Sequence, residues 1–350
     1  MRGRAESINK HSDSRSVKEI RQSGFAFTPV AIPDYPFRLT YRDTSVWLGS
    51  CFATNIGEAM KLLRFRCEVN PFGALYNPES ILAGLKMLLA KKLLSSDDLF
   101  EFNELWSSFC FHSSFSDTDR SRTLEKMNRR LSVASGMLYD SKYLFITFGT
   151  AYVFRSKTSG AVVGNCHKLP PENFVHECLS VDDIVKQYAG FVDTLTMLLP
   201  EIRILFSVSP VRHLKNGAHD NQISKSILIL AVDKLTCLFP NRCFYFPAFE
   251  IVLDELRDYR FYEKDLCHLS ETAIDYVRKV FVYSMFDEQD MKIMHEIEKL
   301  NLARAHRPLN TNTNMYRKFV ETTNAKETEL KKLYPYLEWG MGNGELRVKS

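Results

Sequence analysis

Residues 45–56 read SVWLGSCFATNI, and this stretch decides the fold. Ser45 to Leu48 is a short apolar run broken by Gly49; Ile56, Met60 and Leu63 then recur at helical spacing. The pattern predicts a strand, a tight turn and a helix over 53–65. Such a unit opens an α/β fold, and the same alternation continues outward from it. Pro78, favoured at a first helical position, starts an amphipathic helix to about residue 94. A polar helix is expected over 119–138, and then KYLFITF at 142–148, closed by Gly149, reads as a strand buried on both faces. Ser180 caps a helix to about 199, with Asp182 and Asp183 in its first turn suiting the helix dipole. IRILFSV at 202–208 is the next strand, followed by a helix over 219–238, a short strand at 243–246 and helices over 270–283 and 287–304.

Strands alternating with helices predict a three-layer α/β/α sandwich around a central parallel sheet. Three segments follow: an N-terminal arm over 1–38, the main domain over 39–285, and a C-terminal helical extension and tail over 286–350. Between the main elements, residues 101–117 are aromatic-rich and irregular, and 152–164 suggests a hairpin turning at Ser159-Gly160. The glycine-rich WGMGNGE around Gly340 has no preceding strand and reads as a disordered tail.

The 350 residues are 45% apolar and 25% charged, as expected of a soluble protein with a substantial core. The net charge of +4 is spread along the chain, so no nucleic-acid partner is expected. The N-terminus lacks the apolar core of a signal peptide, and no apolar run nears the roughly 20 residues needed to span a bilayer. A cytoplasmic protein with no membrane partner is the expectation; the oligomeric state is not legible. Eight cysteines form no CxxC pair and read as reduced thiols. Cys166-His167 and Cys267-His268 are adjacent pairs without the usual two-residue ligand spacer, so no metal is expected. With no nucleotide-binding glycine fingerprint, no cofactor is expected either.

In a doubly wound sheet, sites form where strands end. After the first strand come Gly49, Ser50 and Cys51, with Asn55 a turn later; after the next apolar segment comes Asn70-Pro71-Phe72-Gly73. After the third come Gly149 and Thr150, after the fourth Arg212 and His213, and before the last core helix Asp265-Leu266-Cys267-His268. A thiol or hydroxyl at a helix start feels the positive end of the dipole, which stabilises a developing anion. A histidine three residues after an aspartate can be oriented by it and take the nucleophile's proton. Cys51 or Ser50 is therefore the candidate nucleophile, with His268 as base and Asp265 as orienter. Backbone N–H groups such as those of Cys51 and Gly73 are candidate oxyanion donors.

The ordered segments resemble the GSCFA domain family, whose five defining residues stand here as Gly49-Ser50-Cys51-Phe52-Ala53. The resemblance runs on through NPFGALYNP (70–78), WSSFCFHSSFSD (106–117), FGTAYVF (148–154), NCHKLP (165–170), FSVSPVRHLKNGAHDNQISKS (206–226) and DLCHLS (265–270). That family is similar to the SGNH/GDSL hydrolases, α/β/α sandwiches acting mainly on esters. The resemblance aligns Cys51 with their nucleophilic serine, Gly73 with an oxyanion glycine, and Asp265 and His268 with their last block. Their third block carries an oxyanion asparagine; here Ala151 stands in its place, with Asn55, Thr150 or Asn165 as substitutes. His112, Asn165, His167, Arg212 and His213 are candidate substrate contacts. The expected function is an ester hydrolase or acyltransferase, for instance on an O-acetyl carbohydrate. The alternative is a non-catalytic binding or scaffold protein of the same fold.

Overall fold

A computed structural model describes residues 28–306 and 310–340. Strand β1 (Ser45–Gly49) is followed by helix α1 (Cys51–Leu62), β2 (Cys67–Val69) and α2 (Pro78–Leu89). Helix α3 (Arg120–Tyr139) leads into β5 (Tyr143–Phe148), after the small strands β3 (Phe100–Phe102) and β4 (Leu105–Ser107). The hairpin strands β6 (Tyr152–Ser156) and β7 (Phe174–Cys178) precede α4 (Val181–Leu198), β8 (Arg203–Val208), α5 (Ala218–Leu238) and β9 (Cys243–Tyr245). Helices α6 (Glu271–Met285), α7 (Glu288–Ala305) and α8 (Asn314–Leu333) complete the chain.

Five strands form one parallel sheet in the order β2-β1-β5-β8-β9. The side-chain period of a strand divides its residues between two cores. Val46, Leu48, Leu144, Ile146, Phe148, Ile204 and Phe206 face one core, which includes buried residues of α2, α3, α4 and α5. Trp47, Phe145 and Leu205 face the other, with α1, α6 and α7. Both faces of β5 are thus covered, which is why its sequence is an unbroken apolar run. The chain leaves β1 toward β2 on one side and toward β5 on the other, so the strand order reverses between β1 and β5. In open parallel sheets that reversal opens a crevice at the strands' carboxyl ends.

The expected helices and core strands are present, with four differences. Helix α2 stops at Leu89, because Lys91 turns left-handed (φ 50°) and Asn128 accepts the N–H of Leu94. The segment read as irregular carries the β3–β4 pair. Strand β6 pairs with β7 ten residues beyond the expected hairpin, and only an isolated bridge, Arg155 to Val162, marks the near turn. The polar C-terminal tail holds α8, whose Leu330 is buried in the same core as α7. Helices α7 and α8 of the extension are therefore packed on the α1 face of the sheet through Ile293, Ile297, Leu300 and Leu330. Of the N-terminal arm, residues 28–38 drape over the β9 side, where the buried Tyr35 donates to the Tyr245 carbonyl. The arm's first 27 residues and the tail beyond Gly340 lie outside the described residues.

Gly49 adopts φ +144°, and a Cβ there would stand 2.2 Å from the Thr147 carbonyl oxygen. Gly49→Ala therefore imposes both a clash and a poorly populated backbone conformation. Urea unfolding should show a loss of about 3 kcal/mol or a protein that does not fold. A stability within about 1 kcal/mol of wild type would contradict this packing.

Candidate active site

The site is built at the carboxyl ends of β1, β5 and β8. Helix α1 begins directly after Gly49, and its N-cap, Ser50, makes no side-chain capping bond. The first amides of α1 thus lack the usual side-chain cap, and Cys51 is the first helical residue. The backbone N–H groups of Phe52 and of Cys51 itself act to lower the Cys51 pKa. Burial acts against them and is the larger effect, so the thiol lies above its ordinary value. Nearby Lys225 pulls it down and nearby Asp265 pushes it up. Ser50, one residue earlier, is wholly buried, and its hydroxyl has no hydrogen-bond partner. Of the two candidate nucleophiles, only Cys51 is accessible from the rim.

The second component is the loop before α6. Asp265 Oδ1 accepts from the backbone N–H groups of Cys267 and His268, and Oδ2 lies 2.6 Å from His268 Nδ1. These bonds, led by that to His268, hold the Asp265 carboxyl down at about 2. A carboxylate can only accept, so His268 carries its proton on Nδ1 and keeps its basic lone pair on Nε2. Leu266 is left-handed (φ 57°), the backbone bend that lets the aspartate reach the histidine three residues on. Both side chains are about half exposed, 55% for His268 and 51% for Asp265. The loop is fastened to the β8 end where the Arg212 N–H donates to the Cys267 carbonyl.

His213 brings a third side chain to this rim. Its Nε2 is buried without a partner, and Tyr76 packs edge-on against its ring at 5.6 Å. Burial, then the charges of Lys225 and His268, push its pKa down to about 4. Beneath it lies Lys225, which is 1% exposed. The Lys225 Nζ donates to the carbonyls of Gly149 (2.5 Å) and Ser209 (2.7 Å), the residues that follow β5 and β8. Burial pushes this lysine down to about 7, and the facing Cys51 raises it. The sequence reading did not single out Lys225. The signal was available, because it falls on the buried stripe of α5 with Asn221, Ser224, Leu228, Ala231 and Val232. A lysine on such a stripe is rarely there for packing.

The expected oxyanion residues fare differently. The Gly73 N–H donates to the Asn70 carbonyl inside its own turn, so it is not a free donor here. Gly73 (φ +78°) is required for another reason: a Cβ would stand 2.3 Å from that of His112. Thr150 spends its N–H on the Tyr76 carbonyl, and its hydroxyl lies 3.1 Å from that of Ser224. Asn55 is exposed one turn along α1 from Cys51. Asn165 accepts from the His167 N–H, while the two ring nitrogens of His167 bond to Ser113 and the Ser108 carbonyl. His112 Nδ1 accepts from the Ser114 N–H. His112 braces its loop against the 70–77 segment, where its N–H donates to the Phe72 carbonyl, and both nitrogens of His167 are occupied. Among the described residues, no group of three or more His, Cys, Asp and Glu side chains is placed to hold a metal ion.

Asn70 was legible only as a turn residue, yet it organises the nucleophile turn. Its Oδ1 accepts the Gly49 N–H at 2.8 Å, and its Nδ2 donates to Thr54 of α1 at 2.7 Å. Its left-handed backbone (φ 43°) is one that asparagine tolerates.

The fold and this rim define an α/β protein with a cysteine, a histidine–aspartate pair and a buried lysine at its strand ends. The chain belongs to the GSCFA family: that family's model matches residues 45–281, and the GSCFA domain protein C-terminal domain matches residues 297–346. No curated protein and no solved structure matches the chain.

The low pKa of His213 has a pH consequence. Below its unfolded value near 6.5 the unfolded chain binds a proton that the folded one refuses until about 4. His213 thus favours the fold above pH 6.5, and this contribution is lost as the pH falls toward 4. Imidazole NMR should show one resonance, absent in His213→Gln, titrating near 4. A midpoint near 6.5 for that resonance would contradict the buried placement.

Proposed function

We propose that this chain is an acyl-transferring enzyme, an ester hydrolase or acyltransferase, that uses Cys51 as nucleophile, His268 as base and Asp265 as orienter. The observation that carries this reading is the 2.6 Å Asp265–His268 contact, which leaves His268 Nε2 basic on the rim where α1 presents Cys51. The strand order β2-β1-β5-β8-β9 with a site at its switch point also suits the likeness to SGNH/GDSL hydrolases.

His268 Nε2 takes the Cys51 proton, and the thiolate attacks the ester carbonyl carbon. The resulting oxyanion meets the amides of Cys51 and Phe52 at the start of α1. As the tetrahedral species collapses, the carbon–oxygen bond breaks and the leaving alkoxide takes the proton from His268. The thioester on Cys51 is then resolved by water, or by an acceptor hydroxyl, deprotonated in turn by His268. The half-exposed dyad suits a bulky substrate that itself covers the site, such as an O-acetylated carbohydrate. Arg212 and His213, at the β8 end, stand where such a substrate would lie. A cytoplasmic setting fits a nucleophile that must remain a free thiol.

A second reading, a binding protein of the same fold, draws support from the raised Cys51 thiol and from the engaged Gly73 and Thr150 amides. An ester-hydrolysis assay with a thiol-directed acyl probe separates the two. The enzyme reading expects Cys51→Ala to abolish both turnover and adduct, and His268→Ala to lower the rate about 10²- to 10⁴-fold. Ser50→Ala should retain activity. Absence of turnover and adduct in wild type across esters would leave the binding reading. Loss in Ser50→Ala with Cys51→Ala active would overturn the choice of nucleophile.

A further inference from the structure

The loop that carries Asp265 and His268 is a short hairpin. Tyr262 and Leu269 form an antiparallel bridge, and the Ser270 N–H donates to the Phe261 carbonyl. Nearer the tip, the Glu263 N–H donates to the His268 carbonyl at 2.8 Å, and the Leu266 N–H donates to that of Glu263 at 2.9 Å. Leu266 closes this turn in the left-handed conformation (φ 57°), at a place where hairpins ordinarily use glycine. Among the described residues, eight non-glycine positions have positive φ; seven are polar or charged, and Leu266 is the one apolar residue. The bend itself asks for no such side chain, since glycine adopts it freely and asparagine tolerates it. The core does not claim the leucine either, because 46% of it is exposed. Asp265 and His268 beside it are similarly open. The chain thus accepts a strained backbone in order to set an apolar side chain on the open rim, between the orienter and the base in sequence.

We propose that Leu266 is a specificity-determining residue of this site, whose side chain packs on the apolar C–H surface of the alcohol portion of the ester. The proposal rests on the reading of His268 as the base. In that reading His268 returns its proton to the leaving alkoxide, so the leaving oxygen lies against its ring. The hairpin tip that carries the ring therefore flanks the alcohol side of the scissile bond, while the start of α1 flanks the carbonyl. Packing on Leu266 removes apolar surface of both partners from water, which favours the ester with the larger apolar alcohol.

The test compares methyl acetate, butyl acetate and methyl pentanoate, the last two being isomers with the apolar chain on the alcohol or on the acyl side. Wild type, Leu266→Gly and Leu266→Asn are assayed for kcat/KM on each. Binding of the same esters to Cys51→Ala, with and without each Leu266 change, is followed by NMR of the His268 ring and needs no turnover. In both Leu266 variants the preference for butyl over methyl acetate should fall about tenfold. The preference for methyl pentanoate over methyl acetate should stay as in wild type. A wild type without the butyl preference, or variants that keep it, overturns the proposal, and so does an equal fall for both isomers. The downfield Nδ1 proton that His268 shares with Asp265 reports that the hairpin keeps its shape. Its loss in both variants makes the leucine purely architectural and overturns the proposal equally. The acyl-probe adduct in wild type tests the underlying reading separately. Without adduct or turnover the acyl chemistry falls, and the binding preferences on Cys51→Ala then decide the role of Leu266 by the same criteria.

Discussion

Everything at the rim depends on how closely the end of β1 lies against β5. Gly49 pairs with Thr147 across the sheet, and the space above that carbonyl admits no Cβ. This contact lets the chain turn from strand to helix within one residue, with the Ser50 N–H on the Thr147 carbonyl. The turn is then locked from the other side, where Asn70 takes the Gly49 N–H and grips Thr54 one turn into α1. Cys51 is left at the first helical position. The same bend buries Ser50, which explains why two adjacent nucleophilic side chains have such different access.

A second constraint comes from the opposite face. The carbonyls of Gly149 and Ser209 belong to neighbouring strands, and both would be poorly satisfied at the end of a parallel sheet. Lys225 ties them together from α5, and Ser224 beside it holds Ala151. The helix layer of one face thereby reaches the strand ends at the rim. Cys51 belongs to the α1 layer and Lys225 to the α5 layer, so the relative position of the two charges is set by the sheet between them.

Much of this was legible in the chain. The apolar runs at 45–48, 142–148 and 202–208 carry the sheet because strands buried on both faces leave little room for polar residues. Gly49 and the Asp265/His268 spacing pointed to the rim because turn chemistry and a short acid–histidine spacing are local properties. What escaped was non-local. No short-range pattern pairs β6 with β7 across seventeen intervening residues (157–173). The engagement of the Gly73 amide depends on the turn that Asn70 closes. The buried lysine was hidden in a polar-looking stretch, HDNQISKS, where one charge more drew no notice. Helix α8 was missed for another reason: few of its residues, Leu330 among them, reach the core, so no buried stripe marks it.

The choice of sulfur over oxygen follows from the same geometry. A nucleophile over helix amides in a buried setting faces opposing demands, since desolvation disfavours the anion while the amides and a cation favour it. For a serine, whose hydroxyl ionises far less readily, the balance would rest almost entirely on the base. His268, the proposed base, is half exposed to solvent and is held by Asp265, whose charge also raises the Cys51 thiol. A thiol tolerates that arrangement better than a hydroxyl, because it gives up its proton far more readily and asks less of the histidine. An exposed His–Asp pair beside a buried helix start is thus better matched to the proposed Cys51 than to a hydroxyl in the same place.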